Sequence, residues 1–134
     1  MYPNIDNFYD RLVYAKNNYY SSIRWNSIAR EVGIDKANFS RYKNRSYFPS
    51  PVTLLKIARV LGVNAFWLAG DDIELPEDKL ELLTVMYEAL DSDDKEEVFT
   101  FISTCFMGDT GKGTLGVNQK EYVDFDISRG GQHE

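Results

Sequence analysis

The chain has 134 residues, 43% of them hydrophobic and 14% aromatic, with one cysteine, one histidine and a formal net charge of −6. That apolar content can build a core and argues against wholesale disorder, while the lone Cys105 excludes a disulfide framework or a zinc site made of several thiolates. No apolar run of about 18 residues occurs and the opening MYPNIDNFYD is too polar for a signal peptide, so the expected setting is the cytoplasm, without a membrane partner.

The net charge conceals a division. Residues 1–70 carry ten Lys and Arg against four Asp and Glu, a net of +6, whereas residues 71–134 carry five against seventeen, a net of −12. The contrast predicts a basic module over 1–70, a linker over 71–76 and an acidic module over 77–134.

In chain order, Ile5, Phe8, Leu12 and Ala15 recur at helical spacing and predict a first helix over Ile5–Asn18, capped by Asn4. A second is expected over Trp25–Val32, burying Ile28, Ala29 and Val32 and ending at Gly33. Asp35 can cap a third over Lys36–Asn44, with Phe39 and Tyr42 facing inward. Pro49 and Pro51 break the helical pattern, and Ser50 or Pro51 opens a fourth helix that carries Leu54, Leu55, Ile57, Ala58 and Leu61 and closes at Gly62. Asn64 caps a short fifth, with Phe66, Trp67 and Leu68 as core filler and Gly70 at its end. Beyond the linker, Leu80, Leu83, Met86, Tyr87 and Leu90 mark one amphipathic helix, and Val98, Phe99, Ile102 and Phe106 a second, with Asp91 and Ser92 at the turn. After Gly108 a glycine-rich stretch precedes EYVDFDIS, whose alternation of Val123, Phe125 and Ile127 with polar residues predicts a strand or hairpin. The expected class is therefore mainly α, five helices and then a small helical module with a strand.

From Trp25 to Asn44 the chain resembles the helix-turn-helix of the lambda-repressor-like family of DNA-binding proteins. Ala29 stands where two helices must cross closely and Gly33 where the turn needs glycine. Ile28, Val32, Ile34, Phe39 and Tyr42 supply the apolar positions of the pattern, and PSPVTLLKIARVLGVNAFWLAG is similar to the two helices that follow. The resemblance covers roughly residues 5–70 and implies a third helix lying in the major groove of duplex DNA. Its outward residues Lys36, Ala37, Ser40, Arg41 and Asn44 become base contacts, with Arg41 suited to guanine and Asn44 to adenine. Phosphate contacts fall to Arg24, Asn26, Lys43, Arg45 and Tyr47, with the first amides of the second helix. Trp25 departs from the polar residue usual at the first position, and packing against the first helix is the alternative for it.

Catalysis is not expected. The single histidine, His133, lies in the tail, Cys105 reads as a packing residue on an apolar helix, and the glycines at 108, 111, 113 and 116 lack phosphate-loop spacing. DSDDKEE reads as a capped helix start rather than a calcium loop, and neither metal nor cofactor is implied. The family's self-cleaving members cut at an Ala-Gly bond, but they need a longer peptidase domain, so Ala69-Gly70 reads as a helix end.

Two helices and a strand make a thin core alone, so the acidic module is expected to oligomerise through Leu83, Met86, Tyr87, Phe99, Ile102 and Phe106. The resemblance implies a dimeric or tetrameric repressor of phage or mobile-element type on a palindromic operator, relieved by an antirepressor protein rather than by autoproteolysis. The alternative is an antitoxin that neutralises a toxin and represses its own operon.

Overall fold

A computed structural model describes residues 2–107. Among them are seven α-helices and no strand: α1 Phe8–Tyr19, α2 Trp25–Val32, α3 Ala37–Lys43, α4 Pro51–Leu61, α5 Ala65–Ala69, α6 Lys79–Glu88 and α7 Ser92–Thr104. The protein is mainly helical, as the periodicity implies. The glycine-rich stretch after Gly108 and the strand expected at residues 121–128 lie outside the described residues.

The first helix starts a turn later than its apolar spacing suggests. Asn7, not Asn4, is the cap, accepting the Asp10 amide at 2.9 Å and donating its own side-chain amide to Asp10. Residues 2–6 are spent elsewhere. The Tyr2 ring stacks on Trp67 with centroids 4.6 Å apart, and the Pro3 carbonyl accepts the Trp67 indole N–H at 3.0 Å. Arg11 completes this join, donating to the carbonyls of Ile5 and Trp67.

The later boundaries follow local chemistry. The Ser50 hydroxyl caps α4 with Pro51 at its first position, and the Asn64 side chain accepts the amides of Phe66 and Trp67 to start α5. Each choice satisfies amides that a helix otherwise leaves unpaired. Phe8, Leu12, Ala15, Ile28, Leu54, Ile57 and Leu68 are fully buried, and Ala29, Val32, Phe39, Tyr42, Ala58, Leu61 and Ala69 nearly so. One core thus draws on all five of the first helices, with α4 packed against α1, α2 and α5.

Three expectations need correction here. Phe66 is not core filler: it is 54% exposed and lines an open apolar groove with Ile73, Leu75 and Leu82. In a helix of five residues only one face can meet the core, and Leu68 and Ala69 take it. Cys105 is exposed rather than packed, just past the end of α7, with its thiol toward the Phe101 carbonyl at 3.5 Å. Phe106 also falls beyond the last turn of α7.

The chain divides into two compact units, one running to Ala89 and the other beginning at Leu90. The first therefore extends past Gly70. Ile73 and Leu75, in the segment expected to link modules, pack partly buried against the core, and α6 lies against α4. In the second unit α7 is capped by Asp91, which accepts the Asp94 amide at 2.8 Å. Neither α6 nor α7 contains a buried residue. No helix of the described residues is long and apolar enough to cross a membrane.

Candidate nucleic-acid interface

α2 and α3 are joined by a turn of four residues, 33–36. Gly33 takes φ 85°, in the left-handed region, so its amide and that of Ile34 both reach the Ala29 carbonyl, at 2.8 and 2.9 Å. Asp35 then accepts the Ala37 amide at 3.0 Å and opens α3. Behind the turn Ala29 and Val32 are buried, and Phe39 and Tyr42 anchor α3 in the same core. The Tyr42 ring meets Phe8 and Phe39 edge-on, at 5.5 and 5.7 Å.

Anchoring α3 by Phe39 and Tyr42 turns the rest of its circumference outward. Lys36, Ala37, Ser40, Arg41, Lys43 and Asn44 are all exposed. By helical geometry Ser40 and Asn44 occupy the middle of that arc, Lys36 and Lys43 one margin, Ala37 and Arg41 the other. Every expected base contact is thus brought to one surface. On the Arg41 margin, the guanidinium donates to Asn38 Oδ1 at 2.6 Å, which holds a long side chain in one orientation. On the Lys36 margin, Lys36, Ser40 and Lys43 border a shallow cavity of about 250 Å³ whose other walls are Tyr9, Trp25 and Phe39.

Trp25 explains its own departure from the helix-turn-helix pattern. Its ring packs on Phe39 at 4.8 Å, and the Lys16 ammonium of α1 sits over it at 5.3 Å. It joins α1, α2 and α3 at the rim of the surface. The start of α2 is chemically open, because its cap position is Arg24, no side chain caps its first turn and no acidic residue lies there. The positive end of that helix is therefore unopposed, flanked by the exposed Arg24 and Asn26.

Two of the expected phosphate contacts have other partners. Tyr47, 49% exposed, stacks on Tyr42 with centroids 6.0 Å apart and planes 12° from parallel. Burial, reinforced by Tyr47, pushes the Tyr42 phenol from its ordinary 10.0 up to about 12, so it stays neutral. Arg45 ends α3 at φ 60°, the sole non-glycine residue with positive φ among the described residues. A side chain there costs about 1–2 kcal/mol relative to a right-handed conformation. Its guanidinium pairs with Asp72 at 2.9 Å.

Asn38, Tyr9 and Asp72 are contributors that a sequence reading passes over. Asn38 was legible in principle, because it stands three residues before Arg41 on the same helix. Tyr9 and Asp72 come from α1 and from the segment after α5, and nothing local points to either.

The apolar residues expected at an oligomer interface are also on the surface. Leu83, Met86 and Tyr87 of the first unit and Phe99, Ile102 and Phe106 of the second are between 38% and 76% exposed. Leu80 and Phe101, at 71% and 70%, enlarge the expected set.

Compared with protein-family models, curated proteins and solved structures, the chain matches none.

Proposed function

We propose that the protein is a sequence-specific duplex-DNA-binding transcriptional repressor of the lambda-repressor-like, phage or mobile-element type. The observation that carries this reading is the pose of α3. Two aromatic anchors hold it on the core by one face while the opposite arc presents Lys36, Ser40, Arg41, Lys43 and Asn44. A helix of this kind suits the major groove, where Arg41 can bridge O6 and N7 of guanine and Asn44 can pair with adenine. Asn38 orients Arg41 toward its base. Lys36, Ala37 and Ser40 complete the base-facing set, and Arg24, Asn26, Lys43 and the open start of α2 approach phosphates.

A single such helix reads only a few base pairs, so a symmetric pair on half-sites about 34 Å apart, or a multiple of that, gives useful specificity. Leu83, Met86, Tyr87, Phe99, Ile102 and Phe106 are the residues through which copies associate, as a dimer or tetramer. Large apolar residues left exposed favour association. The same exposed residues also support the antitoxin reading, in which a toxin covers them. A protein antirepressor acting on the acidic half is the matching route of induction.

Selection of bound duplexes from a random pool tests the reading. Enrichment of a two-fold symmetric site with half-sites near one helical turn apart is expected. Arg41→Ala should then lose about 1–3 kcal/mol on the selected site and relax preference at one base position. Affinity of the variant equal to that of the wild type on every sequence would remove α3 as the reading helix. A bound toxin enzyme in the purified complex, whose activity the chain suppresses, would favour the antitoxin.

A further inference from the structure

Arg45 and Asp72 form an ion pair that the charge division of the sequence does not anticipate. Arg45 belongs to the basic half, directly after α3, and Asp72 to the start of the acidic half. Asp72 is held by two bonds: Oδ2 accepts the Phe8 amide at the start of α1 at 2.9 Å, and Oδ1 accepts Arg45 Nη2 at 2.9 Å. Its placement is built rather than incidental. Gly70, at φ 62°, lets the chain press so closely on α1 that a Cβ would stand 2.9 Å from the Asp6 carbonyl oxygen, and the Asp71 amide donates to that oxygen at 3.0 Å. The Asp72 side chain is consequently only 10% exposed, while that of Arg45 is 55% exposed. Arg45 also occupies a left-handed backbone conformation that glycine would fill with less strain.

Resting on the reading of α3 as a DNA-contacting helix, we infer that Asp72 is a positioning residue that offsets the charge of Arg45, so that this arginine makes no net phosphate contact while the pair stands. Arg45 lies just beyond the exposed arc of α3, where an uncompensated guanidinium would extend the positive footprint past the helix. A carboxylate on one of its nitrogens cancels that extension. The acidic half thereby sets the edge of the basic face through one residue. An ion pair with one exposed partner is weak enough for the charge to be unmasked by a single substitution. Asp72→Asn is the informative change, since an asparagine oxygen can still accept the Phe8 amide while the charge is gone.

The test is the salt dependence of binding to a mixed-sequence DNA duplex by the full chain. The slope of log affinity against log salt changes by about 0.9 for each phosphate that the protein neutralises. D72N should steepen the slope by about that amount, and the double variant R45Q/D72N should return it to the wild-type value. R45Q alone should leave it unchanged. D71N removes an exposed charge next door that pairs with no guanidinium among the described residues, and should move the slope by less than half as much as D72N. Circular dichroism of each variant checks that it folds, and if D72N does not, R45Q alone decides. A flattening by R45Q of about 0.9 would show Arg45 on phosphate with Asp72 in place and would overturn the inference, as would an unchanged slope in folded D72N. Wild-type protein that shows no salt-dependent binding to duplex DNA would overturn the DNA reading and the inference together; the two failures are thus told apart.

Discussion

α4 and α7 are of similar length, 11 and 13 residues, and each has a well-made N-terminus, Ser50 for one and Asp91 for the other. Their fates differ. Leu54, Ile57, Ala58 and Leu61 of α4 are at most 3% exposed, whereas no residue of α7 is buried and Phe99, Phe101 and Ile102 stand in the open. Capping and periodicity suffice to start a helix in either setting. What separates the two is whether other elements of the described residues surround the apolar stripe, and the contrast teaches that a well-capped helix does not by itself close a core.

The sharpest way to break this comparison is to cut equivalent side chains from both helices. Leu54→Ala should cost about 2–5 kcal/mol in denaturant unfolding, because it leaves a cavity in a closed core. Ile102→Ala, measured at protein concentrations low enough to prevent association, should stay within about 0.5 kcal/mol. Comparable losses at the two positions would mean that α7 has a core of its own.

Next in size is the docking of the chain beyond Gly70 onto the first unit. Gly70→Ala puts a methyl against the backbone of Asp6, Asn7 and Phe8, and should cost about 1–3 kcal/mol. Gly33→Ala, where no atom lies within 4 Å of the added carbon, should cost about 1 kcal/mol from its positive φ alone. If thermal melts place the two variants level, the segment after Gly70 is not seated as described.

Caps sharpen the comparison further. Asn7→Ala should destabilise the first unit by about 1 kcal/mol. Asp91→Ala removes the same kind of bond, yet it should reduce helical circular dichroism without shifting the cooperative transition, since α7 contributes no burial to a core.

The smallest effect at neutral pH belongs to Tyr42. Its phenol titrates at about 12 in the fold against 10.0 ordinarily, so the folded state keeps a proton that the unfolded chain releases first. Stability from this source is complete below pH 10 and is lost as the pH rises from 10 toward 12. Tyr42→Phe should leave neutral stability nearly unchanged and flatten that alkaline limb, as read from unfolding midpoints across the range.

Much of the first unit is legible without coordinates because its signals are short-range. Gly33 and Gly62 close their helices, Ser50 and Asn64 cap theirs, and Phe39 with Tyr42 fixes which arc of α3 faces out. Each decision involves hydrogen bonds or apolar contacts a few residues apart, so the sequence by itself determined the helical class, the turn between α2 and α3 and the outward set of side chains. Tertiary structure alone decided the start of α1, the exposure of Phe66, the seat of Trp25 and the pairing of Arg45. The Asp72 contacts show the reason: they span 27 residues to Arg45 and 64 to Phe8, and no local pattern encodes a partner so distant. Both asparagines near the N-terminus can cap a helix. Only the stacking of Tyr2 on Trp67, which spends residues 2–6 before α1 begins, leaves that role to Asn7.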